Sequence, residues 1–525
     1  MQKRHTPSGF IPLLFLLGML VSGCLTGQDL RAVEPQAGRA PSAQARAASP
    51  AVKAFPSAEG FGAADTKGGR GGRVIEVTNL KDGGPGSFRA CAEATGPRFC
   101  VFRVGGVITL NSPINITAGN SFVTIAGQTA PGAGITLTPW PINISYGAHD
   151  VILRHVRHRQ GYASIPADGN NACGGIIVYG PGKIRTHHVI IDHASVAWAC
   201  DDSTQASGYV TDITFQWSII GEGYEGAKGD PYGGSKGFIV GGNQDEAAQN
   251  TVSFHHNMLL QSGTRNPGGG PIKTLDWRYN VIYNWFACTG NFRLGGTDEN
   301  IPTTKPAHHN FVGNKYIPGP DTAQDFSPAG CWLGELREEA QTKVYVQDNE
   351  TPWCGNTACP ADTFALGWGN GTTGGYPAEE ARFRAREPFP APAITPTSRA
   401  TLEAVLSKQA GATVPLRDAL DTRLVSELAA RGGHIGRRGE SFPSLANSAA
   451  GLAEKDTDKD GMPDAWEVAH RLNANDASDG PKVASNGYTN VENYLNELAG
   501  DTIPPGLAGL LPLHQQRRLA QPSER

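Results

Sequence analysis

The chain has 525 residues, of which 67 are glycine and only 18% are charged. A glycine-rich composition with few charges favours a turn-rich β protein, and a repeat fold can reach this length as a single unit. The formal net charge of −4 offers no basic face, which argues against nucleic acid as a partner. Attraction to an anionic substrate therefore has to be local, through a few basic side chains or bound cations.

The N-terminus has the features of an export signal. Basic residues at positions 3–5 precede an apolar stretch, 10–21, that is too short to span a membrane. The next residues, Ser22-Gly23-Cys24, complete a sequence that resembles a bacterial lipobox, so Cys24 is predicted to be lipidated after cleavage of residues 1–24. Residues 25–54 are then predicted to form a flexible tether, and we expect the protein to be secreted and anchored to the outer membrane or cell surface. The alternative is an ordinary signal peptide with an incidental cysteine.

The cysteine count agrees with export. Nine cysteines less Cys24 leave an even number, as expected for structural disulfides in an oxidising compartment. A CxxC-type zinc site is absent from the sequence. Local spacing suggests the first two of the following pairs, and the other two are what remains: Cys91–Cys100, Cys354–Cys359, Cys173–Cys200 and Cys288–Cys331.

Five short β-rich segments recur through the middle of the chain. They end at His155, His193, Trp217, His256 and Tyr279, so successive ends are 38, 24, 39 and 23 residues apart. A base step near 23 with inserted loops of about 15 is typical of a β-solenoid, and the alternation of apolar and polar residues indicates strands. An ordinary β-sandwich is the alternative, but it does not require equivalent positions to stack. Three asparagines are predicted to bond the backbone at the turns: Asn257, Asn280 and Asn284.

A series of motifs runs in order along residues 55–320. The motifs are Phe-Pro-Ser-Ala-Glu-Gly-Phe-Gly at 55–62, a glycine-rich run at 68–74, Thr-Ile-Ala-Gly-Gln-Thr-Ala-Pro-Gly at 124–132, Ile-Asp-His-Ala-Ser at 191–195, His-His-Asn at 255–257 and Arg-Asn-Pro at 265–267. Together they resemble the pectate lyases of polysaccharide lyase family one. The resemblance implies an all-β fold, a right-handed parallel β-helix over residues 55–395. Residues 399–438 resemble a tail found in one branch of the family, which predicts a helical extension over 396–450.

Cleavage of a uronate chain by β-elimination has three requirements. The proton on C5 must be removed, the C6 carboxylate must be neutralised, and the developing negative charge must be stabilised. A divalent cation bound to both the enzyme and the substrate carboxylate meets the second requirement and part of the third. Oxygen ligands and a hard cation point to calcium. The expected substrate is polygalacturonate, an acidic plant polysaccharide, acted on by a monomer.

The resemblance assigns roles to four residues. Arg265, in the Arg-x-Pro motif, corresponds to the family's general base. Arginine is an unusual base because its pKa lies above about 12. Lys236 corresponds to the lysine that binds the substrate carboxylate and stabilises the intermediate, and Asp201 and Asp202 lie where the family has an acidic calcium ligand. Without the surrounding motifs these would be ordinary surface or loop residues.

The sequence departs from the family pattern at two positions. A second arginine is often found five residues after the base, but Gly270 occupies that position, and Lys273 or Arg293 would have to replace it. A further calcium aspartate is expected one rung before Asp201, where the chain reads Asn-Asn-Ala-Cys-Gly at 170–174. The remaining residues of interest are Asp168 as the nearest acid, Gln205 near a further ligand position, and Asp192 and His193, which are predicted to stabilise the stack.

The C-terminal region contains a separate calcium motif. Its twelve residues, 456–467, match an EF-hand loop at six defined positions, and helices are predicted at 464–472 and 489–498. We expect a small module over 451–500 that acts on stability or docking, followed by a disordered tail over 501–525. An acidic linker is the alternative. The predicted ligands are Asp456, Asp458, Asp460, the carbonyl of Met462, Asp464 and Glu467.

Three other functional classes have to be weighed. A non-catalytic carbohydrate-binding solenoid has no need of Arg265 or Lys236. A hydrolase would use paired carboxylates with water between them, which Asp201 and Asp202 superficially suggest. A pectin lyase acting on methylated substrate would need no calcium and would favour an apolar cleft. The two basic residues favour a lyase over the solenoid and the hydrolase, and the sequence leaves the preference for methylated or unmethylated substrate open.

Overall fold

The computed structural model describes residues 52–161, 174–224, 236–242, 248–286, 291–292, 307–322, 342–350, 384–437, 445 and 451–501. In these ranges the strands form three parallel sheets. Sheet 1 contains β1 (Arg73–Val77), β2 (Arg98–Phe102), β5 (Val123–Ala126), β8 (His149–Arg154), β11 (Thr186–Asp192), β14 (Val210–Gln216), β17 (Thr251–His255), β20 (Ile272–Arg278), β23 (Ala307–Val312) and β25 (Thr342–Gln347). Sheet 2 contains β3 (Gly106–Thr109), β6 (Ile135–Thr138), β9 (Arg157–Arg159), β12 (Ser195–Ala197), β15 (Ile219–Gly221), β18 (Met258–Leu260), β21 (Val281–Tyr283) and β24 (Lys315–Ile317). Sheet 3 contains β4 (Ile114–Ile116), β7 (Ile142–Ser145), β10 (Ile176–Gly180), β13 (Asp202–Gly208), β16 (Lys236–Gly241), β19 (Gly268–Gly269) and β22 (Asn291–Phe292).

Each coil of the chain gives one strand to each sheet in turn. Strands β11, β12 and β13 form one coil, and β14, β15 and β16 lie directly on it in the next. Fully buried side chains therefore stack through the interior, as Ile125, Leu153 and Ile191 do on successive strands of sheet 1. This is the predicted right-handed parallel β-helix, whose core is a continuous column of apolar side chains.

An aromatic stack confirms the repeat alignment made from the sequence. The five residues that ended the β-rich segments lie one above another at one corner of the β-helix, each in the left-handed backbone region with φ of 49–55°. The ring centroids are 4.7 Å apart for His155 and His193, 6.1 Å for His193 and Trp217, 4.4 Å for Trp217 and His256, and 5.3 Å for His256 and Tyr279. The β-sandwich alternative is thereby excluded.

A ladder of buried asparagines supports a neighbouring turn. Asn257 and Asn280 donate to the carbonyls of Phe215 and Phe254, at 2.9 and 3.0 Å, as predicted. The Oδ1 of Asn280 accepts from the backbone of Asn257 on the preceding coil. The third predicted asparagine, Asn284, accepts instead from the backbone N–H of Asp321. The ladder also includes two asparagines that were not predicted, Asn314 and Asn349.

Three of the predicted disulfide cysteines lie in the described ranges. Cys91 and Cys100 are bonded to each other, joining helix α1 (Phe88–Ala92) to β2. Cys200 is also disulfide-bonded. Its predicted partner and both remaining predicted pairs lie outside the described residues: Cys173, Cys288, Cys331, Cys354 and Cys359. The lipobox cysteine, Cys24, lies outside them as well.

Two helices cover the outer face of sheet 2. Leucines of α2 (Arg399–Gln409) and α3 (Ala419–Ala430) pack against Ile219 and Met258. Under them, the fully buried guanidinium of Arg159 donates to Asp421 at 2.9 Å. The predicted helical extension is therefore part of the same compact body as the β-helix. None of the described helices is long and apolar enough to cross a membrane.

The C-terminal segment 451–501 packs on the outer face of sheet 1. Its two helices are α4 (Asp464–Ala469) and α5 (Asn490–Leu498). The first is three residues shorter than predicted, because Arg471 adopts a left-handed conformation and the N–H of Leu472 returns to the carbonyl of Glu467. Apolar side chains including Met462 and Trp466 lie against strands β2 and β5. The domain boundaries themselves remain predictions.

The first described segment runs along the same sheet. The N–H of Gly62 donates to Thr214 and that of Gly69 donates to Thr124, both at 2.9 Å. A Cβ on Gly69 would lie 2.1 Å from the carbonyl oxygen of Arg98, so only glycine permits this close approach. The glycine-rich motif near the start of the chain thus lies flat across several coils.

Candidate active site

Three successive coils bring the four predicted active-site residues together at the entrance to sheet 3. Asp202 opens β13 and is the register partner of Lys236, which opens β16. Lys236 in turn pairs with Thr264, the neighbour of Arg265, just ahead of β19. Residues 201, 236 and 265 are far apart in sequence, and the coil repeat alone makes them neighbours.

The acidic and basic side chains form two ion pairs. The Nη1 of Arg265 donates to Oδ2 of Asp202 at 2.5 Å, and the ammonium group of Lys236 donates to Asp201. The Asp202 side chain is 11% exposed and that of Asp201 is 47% exposed. The two adjacent aspartates thus differ: one is held within the site and the other borders solvent.

The carboxylate of Asp202 lies in a buried environment. Burial raises its pKa, and the neighbouring guanidinium of Arg265 offsets only part of that shift. Its Oδ1 is buried and has no hydrogen-bond partner among the described residues. A buried carboxylate oxygen without a donor is a favourable ligand for a hard cation, so the residues present fit calcium.

The backbone around Arg265 is constrained on both sides. Arg265 adopts a left-handed conformation (φ 56°), and its carbonyl accepts from the N–H of Phe238 at 2.7 Å. Asn266 donates to the carbonyl of Ser262 at 2.9 Å. A Cβ on Gly237 would lie 2.3 Å from Oδ1 of Asn266, so glycine is required where the two coils meet. The Arg265 side chain therefore extends from a backbone segment whose conformation is fixed by these contacts.

One supporting residue was not predicted from the sequence. Gln160 is buried, and its Oε1 accepts from the backbone N–H groups of Gly174 and Cys200, at 3.0 and 3.2 Å. Through Cys200 it fixes the turn that presents Asp201. A glutamine outside any recognisable motif gives no sequence signal for this role.

The residues considered where the sequence departs from the family pattern lie in different places. Lys273 lies exposed on β20 of sheet 1, so it is not on the sheet that carries the site. Gln205 is half-buried on β13, between Ile177 and Ile239 of the adjoining strands. The others lie outside the described residues: Asp168, the asparagines at 170–171, and Arg293.

Asp192 and His193 support the stack, as expected. Asp192 is fully buried and accepts hydrogen bonds from Arg154, Gln216 and His193 at 2.7–2.8 Å. Burial by itself would raise its pKa, but His193 and Arg154 lower the pKa below its usual range. Both carboxylate oxygens therefore have partners within the protein, which fits a structural role.

The chain was compared with known proteins. No family model matches it. A protein named probable pectate lyase C from Aspergillus fumigatus is 33% identical over 458 residues, which is 86% of this chain and 95% of the relative. A relative of the same name from Neosartorya fischeri is 33% identical over 86% of this chain and 95% of its own length. Another from Emericella nidulans is 30% identical over 87% of this chain and 94% of its own length. The chain belongs to the pectate lyase family.

Membership of the pectate lyase family makes the protein a polysaccharide lyase and sets aside the non-catalytic solenoid and the hydrolase. Solved structures also resemble it weakly. Pectate lyase II from Xanthomonas campestris is 16% identical, with a TM-score of 0.43, and the match covers 69% of this chain and 100% of that structure. A pectate lyase bound to hexasaccharide is 14% identical, with a TM-score of 0.43, and the match covers 69% of this chain and 98% of that structure. Similarity of this size adds nothing to what the strand pairing already shows.

In this pectate lyase the predicted C-terminal calcium loop is a compact turn. Asp456 accepts the N–H groups of Lys459 and Gly461, at 2.7 and 3.1 Å, and Asp460 accepts that of Met462 at 3.0 Å. One carboxylate oxygen from each of Asp456, Asp458 and Asp460 lies within 4.8 Å of the others. The described residues thus bring the first three predicted ligands together.

Of the other predicted carboxylate ligands, Glu467 belongs to a cluster of carboxylates and Asp464 does not. Glu467 joins Asp460 in a second group of carboxylates, whose third member, Asp479, was not predicted. Asp464 lies outside both groups: its carboxylate accepts from Thr457 at 2.7–2.8 Å and from Lys455 at 2.8 Å. Those hydrogen bonds, that of Lys455 first, lower the pKa of Asp464 to about 2. Asp464 therefore stabilises the start of the loop through these hydrogen bonds.

Burial and mutual repulsion perturb the clustered acids strongly. Burial, followed by the neighbouring aspartates, raises the pKa of Glu467 to about 8. Burial also raises the pKa of Asp460 to about 7, with Asp456, Asp458 and Asp479 adding to the shift. Carboxylates are driven toward the neutral form when like charges are buried together without a cation.

Proposed function

We propose that this enzyme cleaves polygalacturonate by calcium-assisted β-elimination and releases unsaturated oligogalacturonides. The observation that supports it is the convergence of Arg265, Lys236, Asp201 and Asp202 on three adjacent coils. Two basic and two acidic side chains at one site match the needs of an anionic uronate and a divalent cation.

Each side chain has a defined task in this proposal. Lys236 and Arg265 attract the substrate carboxylates, and Lys236 stabilises the charge that develops on the carboxylate as C5 loses its proton. Asp201 and Asp202 hold calcium, which when bound neutralises the uronate carboxylate and so acidifies C5. Arg265 would act as the general base: it must separate from Asp202 and release one proton to solvent, after which the neutral side chain accepts the C5 proton.

The ion pairs explain why the acids and bases belong to one site. Asp202 bonds Arg265 and Asp201 bonds Lys236, so each charge has a partner of opposite sign within the site. Asp201 and Asp202 would hold the cation, and a carboxylate that holds it would interact less strongly with its basic partner. The four charges also disfavour an apolar cleft of the kind expected for methylated substrate, which argues against a pectin lyase.

The deciding experiment measures the ultraviolet absorbance of products from polygalacturonate, with and without a calcium chelator. Absorbing products that disappear with the chelator are expected. Reducing ends without absorbance would identify a hydrolase. Faster, chelator-insensitive release from methylated pectin would identify a pectin lyase.

We also propose that the protein is exported and held at a membrane by a lipid on Cys24. The disulfides at Cys91–Cys100 and Cys200 support an oxidising compartment. The variant Cys24→Ala should move the enzyme from the membrane fraction to the soluble fraction. Retention of Cys24→Ala in the membrane fraction would contradict the anchor.

A further inference from the structure

The calcium loop and a later turn enclose a cluster of buried carboxylate oxygens. Glu467 is fully buried, and Asp460 and Asp479 are each only 5% exposed. One oxygen from each of these three side chains lies within 4.8 Å of the others. Asp479 follows the end of the twelve-residue loop by twelve positions, so it enters from a separate turn of the chain.

Most of these oxygens lack a donor. Both oxygens of Glu467, Oδ2 of Asp458 and Asp460, and Oδ1 of Asp479 are buried without a hydrogen-bond partner in the described ranges. The second oxygen of Asp479 accepts from the N–H of Asn473 at 3.0 Å, which fixes the free one in place. Buried carboxylates facing one another are strongly unfavourable unless a cation lies among them.

We propose that Asp458, Asp460, Glu467 and Asp479 form a structural calcium site, with Asp456 from the same loop and with Asp479 taking the place expected for Asp464. An all-oxygen set with a two-oxygen glutamate suits calcium, which accepts six to eight oxygen ligands in flexible geometry. This site is independent of the proposed active-site calcium and lies on sheet 1, away from the sheet 3 cleft.

Gly480 supports the assignment of Asp479. A Cβ at position 480 would lie 2.6 Å from Oδ2 of Asp460, so the backbone after Asp479 comes directly against the first loop. The carbonyl of Gly480 also accepts the N–H of Val491 in helix α5. The cation would therefore join the loop, the turn at 476–480 and the second helix into one unit.

This unit is what docks against the β-helix. A Cβ on Gly461 would lie 3.0 Å from Val74 of β1, so the loop itself rests on the first coil. Arg103 lies 3.9 Å from Asp456, and Arg70 forms a 2.8 Å ion pair with Glu492 of α5. Cation binding at Asp479 thus stabilises the attachment of residues 451–501 to the first coils.

The test compares Asp479→Asn with Asp476→Asn in the full chain. Asp476 lies in the same turn, is exposed, and bonds Ser478 instead of the cluster, which makes it a matched control. Bound calcium per chain is counted by equilibrium dialysis, and thermal unfolding is followed in calcium and in chelator. We expect Asp479→Asn to bind one ion fewer and to lose most of the calcium-induced rise in Tm, while Asp476→Asn behaves as the parent.

The sign of the effect in chelator separates a ligand from a merely structural residue. Without a cation, Asp479→Asn removes one of the repelling charges, so its Tm in chelator should equal or exceed that of the parent. A Tm in chelator below the parent's, including failure to fold, would overturn the proposal. So would an unchanged ion count in Asp479→Asn, or an equal loss of calcium in Asp476→Asn.

Discussion

The guanidinium of Arg265 and the carboxylate of Asp202 are 2.5 Å apart, although the coil that carries Lys236 lies between theirs. The predicted base and a predicted calcium ligand are thus bonded to each other. Any change to one alters what the other can bind, and the first two predictions use this coupling.

Arg265→Ala should abolish elimination and leave calcium binding intact. Loss of a general base typically costs about 10²–10⁴-fold in rate. Asp202 would lose its basic partner, so calcium affinity should stay equal or increase. Initial rates on polygalacturonate and calcium titrations check both effects, with the exposed Arg73→Ala as control. Substantial turnover by a folded Arg265→Ala variant would refute the assignment.

Asp202→Asn should raise the calcium concentration needed for activity more than Asp201→Asn does. Asp202 is the more buried carboxylate, and its Oδ1 has no partner in the described ranges, whereas Asp201 is half exposed. The double variant should show the largest shift. Calcium titrations of the lyase rate measure this, with the partly exposed Asp212→Asn as control. Overlapping titration curves would show that the two aspartates are ordinary loop acids.

The contribution of the buried histidines to stability should fall as the pH drops below about 6.5, the usual pKa of histidine. Burial lowers the pKa of His158 to about 4 and that of His155 well below its usual value. The unfolded chain therefore takes up protons that the folded protein excludes, and stability is lost progressively from about pH 6.5 to about pH 4 as acid is added. Urea unfolding midpoints across this range measure the loss.

A phenylalanine in the stack tests the same point. His155→Phe keeps a ring against His193 but cannot take up a proton, and the two ring nitrogens it removes have no hydrogen-bond partner in the described ranges. The midpoint of His155→Phe should therefore depend less on pH than that of the parent. His188→Phe, at a partly exposed position, is the control. Equal pH dependence in all three proteins would contradict the prediction.

Asn280→Ala should lower the free energy of unfolding by about 1–3 kcal/mol for each buried group left without its partner. The asparagine satisfies the carbonyl of Phe254 and the N–H of Asn257. Asn143→Ala on sheet 3 is a matched control, because the Asn143 side chain donates to the exposed Asn115 side chain at 3.2 Å and its loss should change stability little. Chemical denaturation measures the free energy of unfolding of both variants. An equal loss in the two would exclude a special role for the ladder.

The coil architecture could be predicted from the sequence because it is periodic. The spacings of His155, His193, Trp217, His256 and Tyr279 already gave the alignment that their rings adopt. The active-site residues followed from motifs, since each belongs to a coil whose place in the stack is set by that repeat.

Features that depend on contacts across sheets could not be predicted in this way. Gln160 acts through two backbone amides and carries no motif. Asp479 was missed because the calcium-loop pattern ends at Glu467, and Asp464 was included because the pattern specifies its position. Sequence spacing describes one loop, whereas a buried cluster takes oxygens from any turn that packs against it.

The two ends of the described chain meet on sheet 1. Asp501 accepts a hydrogen bond from Ser57 and lies 3.0 Å from Arg154, which itself stacks on the ring of Phe55. A short linker between these ends would make a covalent ring, and new termini opened at an exposed turn would give a circularly permuted enzyme with every coil intact. Order along the chain and order of stacking are therefore separable in this β-helix: residues 54–62 find their partners on strands β8 to β17, so this segment can pack only after those strands have formed.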